Sequence, residues 1–404
     1  MCKTPDGVAL FVVPDDPLLA QGQSAIRLPS PVKPDPALVQ NIVQAIDESL
    51  VLLSEKGSDT DTQYYEDGIW HFPNTSSGMW LYGAGPAGMA AALWDWRQHH
   101  LDSLDAATKA RQDWLHKIAV ETFDRALKDH QKPDGDFADL TGHRVFFTID
   151  FVNTYLLLKD TLDADTRQRW LAAMAIQVQF LMQHGELPNP ALGNNWKGTD
   201  GWYVNGNVEL CQAEWLYLVW KATGEQKYKD LYERQWKKTV RPSPRWKGYG
   251  VFYFKQPTRS DGADGSAFLA EANVVPGFDP EYGTLQLSAA ARLYMKSRDP
   301  RALRLTNLLL NSLLPSLNKD TMVLDATYGS RHSTYPLFQV CAPEVLAWLG
   351  GRSDLLPMLS DQFNKGVKAP LLQNARTNQG APGIYRAYGF DFAAMLETIS
   401  VTER

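Results

Sequence analysis

The sequence predicts an all-α protein in which six or seven helical hairpins, with a minor β-hairpin in one long loop, close into a ring, an (α/α) toroid. Three observations predict it. Helix-turn-helix junctions recur along the chain, the first helix of each pair is the more apolar, and strand-like segments are sparse. An inner ring of apolar helices wrapped by an outer ring of amphipathic helices accounts for this asymmetry. An open helical solenoid is the alternative.

Five junctions of one style separate the hairpins. In each, an apolar helix ends in Lys, Arg or Gly, and a polar turn leads to an amphipathic helix that begins with Asp, Glu or Pro. They lie at 101–105, 160–165, Gly224, Asp299-Pro300 and Gly350-Gly351. Further helices are expected in "PALVQNIVQAIDESLVLL", "GPAGMAAALWDWRQ" and the C-terminal "FDFAAMLETI". The segment "YGVFYFK" is the best strand candidate, as a hairpin within a loop.

Residues 1–34 are predicted to form an extended N-terminal arm, and residues 35–404 a single toroidal catalytic domain. No run of about 18 apolar residues is present, so no membrane-spanning segment is expected. The first residues show no signal peptide, so a secreted or periplasmic location is expected only if a leader was removed. Cys2, Cys211 and Cys341 show no metal or redox spacing, and the last two are expected to be small core residues. The oligomeric state, monomer or larger, is left open.

The net charge of -6 hides a local excess of base. Residues 236–259 contain seven Lys or Arg and no acid, and six aromatic residues alternate with these bases. A solvated surface loop and an anion-binding surface are both consistent with such a stretch.

In a toroid the long connections meet at one end, where the inner helices begin. Here they are expected at 59–82, 129–147, 185–207, 239–281, 318–334 and 366–389. These loops are rich in Gly, Asp, Asn, aromatic and basic residues. Aromatic rings stack on sugar faces, while amides and charges bind hydroxyls and carboxylates. Seven other tryptophans are expected to pack the helical core: Trp94, Trp96, Trp114, Trp170, Trp215, Trp220 and Trp348.

Several other chemistries fit the sequence poorly. The segment "DGADGSAFLAE" has the spacing of a calcium loop, but Ser260 and Gly262 occupy the first and third ligand positions. The glycines of "YGAGPAGMAAALW" follow no clear strand, so a tight helix start with close packing explains them better than a dinucleotide site. No GxSxG motif is present. We expect neither a catalytic metal nor a cofactor.

Acid-base chemistry on a carbohydrate therefore remains, by one of two mechanisms. A glycoside hydrolase needs two carboxyl groups, which Asp200, Glu209, Asp264 and Glu271 could supply. A polyuronate lyase instead neutralises a uronate carboxylate, removes the proton α to it and expels the 4-linked sugar. Tyr, His, Arg, Asn and Glu at the starts of predicted inner helices favour the lyase.

The hairpin repeat and the segments "PDGDF", "DGSAF", "NGNVEL" and "FDPEYGTLQL" resemble the (α/α)-toroid polysaccharide lyases, most closely polysaccharide lyase family 38, whose members act on alginate or glucuronan. The resemblance covers roughly residues 35–404. It implies that a Tyr is the base and acid and that a Glu is essential nearby. The matching positions are Tyr282 and Glu209.

The remaining site residues follow from the resemblance and the loop composition. Glu209, with Asn207, is expected to polarise or neutralise the uronate carboxylate, and Arg331 and His332 are expected to bind and orient it. Further substrate-binding candidates are His143, Asn153, Trp202, Tyr203, Trp246, Lys247, Arg259 and Tyr328. The expected partner is an anionic polysaccharide. A non-catalytic polyanion-binding protein is a third possibility, but no nucleic-acid-binding fold is recognisable and no nucleic-acid or membrane partner is expected.

Overall fold

We analysed a computed structural model of the chain. It describes residues 2–3, 9–12, 25–54, 64–66, 69–71, 79–101, 105–137, 144–184, 206–242, 249–251, 280–325, 334–335, 341–369, 371–372 and 382–403. Within a few helices it describes the backbone but not every side chain.

The described chain is dominated by helices, which fall into an inner and an outer set. The inner helices are α2 (Met79–His100), α4 (Arg144–Leu158), α6 (Gly206–Thr223), α8 (Pro280–Ser297), α10 (Ala342–Leu349) and α12 (Pro382–Glu403). The outer helices are α1 (Pro36–Ser54), α3 (Ala106–His130), α5 (Ala164–His184), α7 (Gln226–Thr239) and α9 (Pro300–Leu313). A sixth outer position holds α11 (Leu359–Asp361), which follows a 3-10 segment (Ser353–Met358) and continues as a π-helical segment (Gln362–Lys368).

The inner helices form a closed ring. Each packs against the next in the order α2, α4, α6, α8, α10, α12, and α12 then packs against α2. An open solenoid would leave its first and last repeats apart. The described chain is therefore an (α/α) toroid of six helical hairpins, as the sequence predicts.

All inner helices run in the same direction, because each short junction joins the end of an inner helix to the start of an outer one. The structure places these junctions at 101–105, 159–163, 224–225, 298–299 and 350–352, where the sequence predicts them. Gly224 and Gly351 adopt left-handed φ angles of 73° and 77°, which explains the glycines. The long connections all lead into inner helices at the opposite end, which we call the open end.

Aspartates start several outer helices. Asp105 accepts a hydrogen bond from the Thr108 amide at 2.7 Å, and Asp163 accepts one from Thr166 at 2.8 Å. Asp299 does the same for the Arg301 amide at 2.8 Å. These caps satisfy amides that have no partner inside the helix, so the early acids in the sequence mark true helix starts.

The ring closes at a seam between α2 and α12, where the two backbones touch. A Cβ placed on Gly389 would lie 2.1 Å from the Cα of Gly85. The glycines of "YGAGPAGMAAALW" therefore serve close packing, as expected. They do not mark the helix start, however, because α2 begins earlier, at Met79, and continues through Pro86.

One continuous apolar core fills the space between the two rings. Trp170, Trp215 and Trp348 are buried in it, as are Cys211 and Cys341. Trp94, Trp96, Trp114 and Trp220 are partly buried against it. The packing roles expected for these residues are confirmed.

The described strands are short and lie before α1 or in the connections between helices. The predicted hairpin is present as β6 (Val240–Pro242) paired with β7 (Tyr249–Val251). Three other small sheets were not predicted, because strands of two to four residues give little periodic signal. They are β1 (Cys2–Lys3), β2 (Ala9–Val12) and β3 (Ala25–Arg27); β4 (Tyr64–Glu66) and β5 (Ile69–His71); and β8 (Leu317–Asn318), β9 (Val323–Asp325) and β10 (Thr334–Tyr335).

The chain just after β3 is tied to the ring. The Val32 amide donates to the Trp348 carbonyl at 2.7 Å, and Arg298 donates to the Pro29 carbonyl at 3.3 Å. The division into an arm at 1–34 and a domain at 35–404 stays a prediction. None of the described helices combines the length and apolarity needed to cross a membrane.

Candidate functional site

The open end of the toroid is the candidate site because the N-termini of the inner helices converge there. Each helix start carries a partial positive charge and amides without intrahelical partners. Parallel inner helices add these charges at one rim, which favours an anionic ligand. The long connections that complete this rim lie mostly outside the described residues.

Three predicted site residues lie in the first turns of two neighbouring inner helices. Asn207 and Glu209 are the second and fourth residues of α6, and Tyr282 is the third residue of α8. Because α6 and α8 pack side by side and run parallel, these backbone positions share the open end. Their side chains are not among those described.

The other loop residues predicted for the site lie outside the described residues. They are His143, Trp202, Tyr203, Trp246, Lys247, Arg259, Tyr328, Arg331 and His332. The candidate hydrolase acids Asp200, Asp264 and Glu271 also lie outside the described residues. Their roles stay predictions.

Asn153 lies apart from the open end. It is ten residues into α4, roughly 14 Å along the helix at 1.5 Å per residue. Its amide nitrogen donates to Glu397 at 2.8 Å, and its oxygen accepts from Lys296 at 2.5 Å. Lys296 and Glu397 are themselves ion-paired. The structure thus gives both polar ends of Asn153 protein partners near the far end of the ring and does not group it with Tyr282.

The centre of the ring contains a cluster of charged residues that sequence reasoning missed. Arg292 of α8 binds Glu214 of α6 through two hydrogen bonds of 2.8 and 2.7 Å, and Asp391 of α12 through one of 2.6 Å. Its guanidinium also lies 4.0 Å from the ring centroid of Phe390. We call Arg292, Glu214 and Asp391 the axial triad. All three side chains are at most 2% exposed.

Two further carboxyl groups belong to this cluster and have no hydrogen-bond partner among the described residues. Asp150 of α4 is 1% exposed, and Glu344 of α10 is fully buried. Burial raises the pKa of Asp150 well above its usual range; the charge of Arg292 opposes this, and Asp391 and Glu214 add to it. Burial also raises the pKa of Glu344 to about 8. Glu344 therefore favours the neutral acid at neutral pH, and the pKa of Asp150 is shifted in the same direction.

Asp150 is also held against the backbone of α2. A Cβ on Gly88 would lie 2.6 Å from Oδ1 of Asp150, so only glycine leaves room for this carboxyl group. The cluster thus draws one acid or base from each of α4, α6, α8, α10 and α12, while α2 contributes bare backbone.

The cysteines near the cluster are poor nucleophiles. The Cys341 Sγ lies 3.0 Å from Oδ1 of Asp391, and burial raises its pKa well above the usual range. Burial likewise raises the pKa of Cys211. A thiol held protonated does not attack or ligate, so the cluster offers carboxyl chemistry instead. Among the described residues, no group of three acids, histidines or cysteines is placed to hold a metal ion.

The sequence does contain a signal for this cluster, although the signal alone does not identify the cluster. Each member is an isolated charge inside an apolar inner helix, as in "TIDFVN", "CQAEWLYL", "AAARLYM", "APEVLAW" and "FDFAAM". Charged residues are rarely buried unless they are paired or functional. Such charges predict a polar interior even when their partners are unknown.

Comparison with known proteins gives structural matches alone. No family model and no curated sequence matches the chain. A crystal structure of a D-mannose isomerase aligns at 14% identity and TM-score 0.47, covering 91% of this chain and 99% of that one. An unsaturated glucuronyl hydrolase from Bacillus sp. GL1 aligns at 14% identity and TM-score 0.49, covering 82% and 84%.

A chondroitin AC lyase from Streptomyces coelicolor A3 also aligns, at 14% identity and TM-score 0.47, over 85% of this chain and 46% of that one. These three proteins bear the names of an isomerase, a hydrolase and a lyase. Similarity at this level identifies no reaction, and the toroid assignment rests on the closed ring of helices described above.

Proposed function

We propose that the protein cleaves a 1,4-linked polyuronate, alginate or glucuronan, by β-elimination and without a cofactor. The observation that supports this most directly is the position of Glu209 and Tyr282 in the first turns of two adjacent, parallel inner helices. A carboxyl group and a phenol at one rim are the pair that elimination from a uronate requires.

In the proposed reaction, Tyr282 as phenolate takes the proton from C5 of the uronate. The electron pair forms the C4–C5 double bond, and the C4–O bond to the neighbouring sugar breaks. The phenol then returns the proton to the leaving oxygen, so the enzyme ends in its starting state. Glu209 and Asn207 polarise the uronate carboxylate, and Arg331 and His332 bind and orient it, which stabilises the enediolate-like transition state.

The electrostatics of the rim support an anionic substrate. Six inner helix N-termini direct partial positive charge to the open end. The basic and aromatic stretch 236–259 begins in the last turn of α7, where Trp236 is buried in the core. The part that follows α7, which includes Trp246, Lys247 and Arg259, is proposed to form flanking subsites. Together these features offset the overall charge of -6.

The test is an ultraviolet assay for the new C4–C5 double bond with alginate, glucuronan, pectate and hyaluronan. We expect product from alginate or glucuronan, and we expect Tyr282→Phe to lower kcat by at least about 1000-fold, because the variant cannot move the proton. The matched control is Tyr294→Phe. Tyr294 lies on the same helix, but its hydroxyl donates to the Leu349 carbonyl at 2.8 Å near the far end of the ring. This control should lose stability and keep its turnover.

Two results would contradict the proposal. Full activity of Tyr282→Phe would move the base to another residue, Tyr328 or His332. Absence of ultraviolet product from every polyuronate would exclude the lyase itself.

A toroidal glycoside hydrolase is the second candidate, and the buried carboxyl groups favour it. Hydrolysis needs a protonated acid and an ionised partner. Burial raises the pKa of Asp150 well above its usual range, and Glu214 and Asp391 are ion-paired with Arg292. New reducing ends without ultraviolet absorbance, lost in Asp150→Asn, would support this mechanism over elimination.

A further inference from the structure

Two buried arginines of the toroid can be compared directly. Arg292 and Arg301 are each 2% exposed, and each pairs with two carboxylates. Arg292 lies at the centre of the ring. Arg301 lies in the outer layer, where it binds Glu233 of α7 at 2.8 Å and Asp299 at 2.6 Å. We call the second set the outer triad.

The outer triad has an evident structural role. Asp299 accepts the hydrogen bond that starts α9, and Arg301 holds this carboxylate in place. Arg301 also ties α9 to its outer neighbour α7 through two bonds to Glu233, of 2.8 and 2.9 Å. Helix capping and helix docking explain why these charges are present.

The axial triad caps no helix. Glu214, Arg292 and Asp391 all lie within their helices, far from either terminus. Burying charges costs free energy that their attraction does not generally recover, and apolar residues of similar size are often as stabilising. Asp150 and Glu344 add two unpartnered carboxyl groups at the same place, which raises this cost. Stability alone therefore does not account for the axial triad.

The axial triad does fix geometry. Two parallel bonds between Arg292 and Glu214 set both the distance and the angle between a guanidinium and a carboxylate, and so constrain α8 relative to α6. Asp391 extends the constraint to α12, which touches α8 although α10 lies between the two in the order of the ring. The triad thus links three inner helices that are not all consecutive in the ring.

The same helices carry the proposed catalytic groups at their starts. Glu209 precedes Glu214 by five residues, about 7.5 Å along α6, and Tyr282 precedes Arg292 by ten residues, about 15 Å along α8. A small sliding or rotation of α8 against α6 would be carried along these rigid segments to the open end. A shift of about 1 Å at reacting groups can lower a rate about 100-fold.

We propose that Arg292 is a positioning residue, which sets α6, α8 and α12 in the register that brings Glu209 and Tyr282 onto one uronate. This inference rests on the proposed lyase function. It assigns to the axial triad a role in turnover, whereas the outer triad contributes to stability alone.

The experiment compares Arg292→Lys with Arg301→Lys in the full chain. Lysine keeps the charge but not the two parallel bonds, so folding should survive while the register loosens. We expect Arg292→Lys to lower kcat by about 10-fold to 100-fold and to change KM by less than about 3-fold. Arg301→Lys should lower the melting temperature and leave kcat unchanged.

A second variant covers the possibility that Arg292→Lys does not fold. It replaces the triad by Arg292→Met, Glu214→Gln and Asp391→Asn, which removes the charges together and leaves no ion unpaired. We expect this variant to melt near the wild-type temperature and still to lose kcat by about 10-fold or more.

Wild-type kcat in either axial variant would overturn the inference, and so would an equal loss of kcat in Arg301→Lys. These outcomes require an active wild-type enzyme. A wild type that yields no unsaturated product would instead refute the proposed function, so the two failures are distinguishable.

Discussion

At the scale of single residues, Glu344 links proton binding to folding. Folding raises its pKa from 4.5 to about 8, since burial penalises the charged form. Burial of the Glu344 carboxyl therefore does not lower the free energy of unfolding well below pH 4.5, and lowers it by the full amount above about pH 8. The stability contributed by this residue falls as the pH rises through this window. This runs opposite to the usual behaviour of ion-paired acids.

We predict that Glu344→Gln flattens this pH dependence. Glutamine has nearly the same shape and carries no charge. The free energy of unfolding of the variant, relative to that of the wild type, should therefore rise by roughly a few kcal/mol from about pH 5 to about pH 9. The measurement is the free energy of unfolding in urea at both pH values. Glu225→Gln is the control, because Glu225 is an exposed partner of Lys227. Parallel curves for wild type and Glu344→Gln would contradict the prediction.

Residue-scale prediction from sequence succeeded for local signals and failed for distant pairs. The capping aspartates could be recognised because each lies within a few positions of the amide it caps. The partners of Arg292 could not, because Glu214 lies 78 positions before it and Asp391 lies 99 after it. No pattern within one helix states which isolated charge meets which.

At the scale of elements, the α2–α12 seam depends on two glycines. The backbones of Gly85 and Gly389 are in contact, and helices approach this closely where neither residue has a side chain. The sequence indicates close packing around Gly85 but predicts loops where the first turns of α2 and α12 lie. A glycine-rich helix start resembles a loop because glycine lowers helix propensity, and here tertiary packing outweighs that preference.

We predict that Gly389→Ala destabilises the protein by about 3 kcal/mol or more, because the new methyl group meets backbone that cannot move aside. Thermal or urea unfolding measures the loss. Gly366→Ala is the matched control, since its Cβ would lie 3.3 Å from the Cβ of Met322, a contact that a shift of a few tenths of an ångström relieves. A change below about 1 kcal/mol for Gly389→Ala would show that the seam can open at little cost.

At the scale of the whole molecule, ring closure makes α12 indispensable. It packs against α2, touches α4, α8 and α10, and supplies Asp391 to the axial triad. A chain that ends before Pro382 would expose the apolar faces of four inner helices and leave Arg292 with one carboxylate fewer.

We predict that removal of residues 382–404 abolishes cooperative unfolding, whereas removal of residues 1–24 preserves it. The second truncation keeps the contacts that Pro29 and Val32 make with the ring. Circular dichroism and differential scanning calorimetry of both chains provide the measurement. A cooperative transition in the chain without α12 would mean that five hairpins suffice, and the ring would then be less integral than its packing indicates.

The architecture could be predicted from sequence further than the site could. The hairpins follow from apolar periodicity and from Gly, Pro and Asp at the junctions, all of which act locally. The residues assigned to substrate lie mainly in long connections, where no period relates one side chain to another. The sequence predicts the helix that contains Asn153, but not how far this residue lies from the open end of the ring. That distance depends on how neighbouring helices are staggered.

The charged filling of the toroid also has a consequence for how a polymer could be handled. The side chains of Arg292, Glu214 and Asp391 occupy the middle of the ring, and Lys296 with Glu397 lies beyond them. The polysaccharide strand of the proposed reaction therefore has no passage through these side chains and would lie across the rim. Such a strand needs no free terminus in order to dock, so attack at internal linkages is topologically open to this fold.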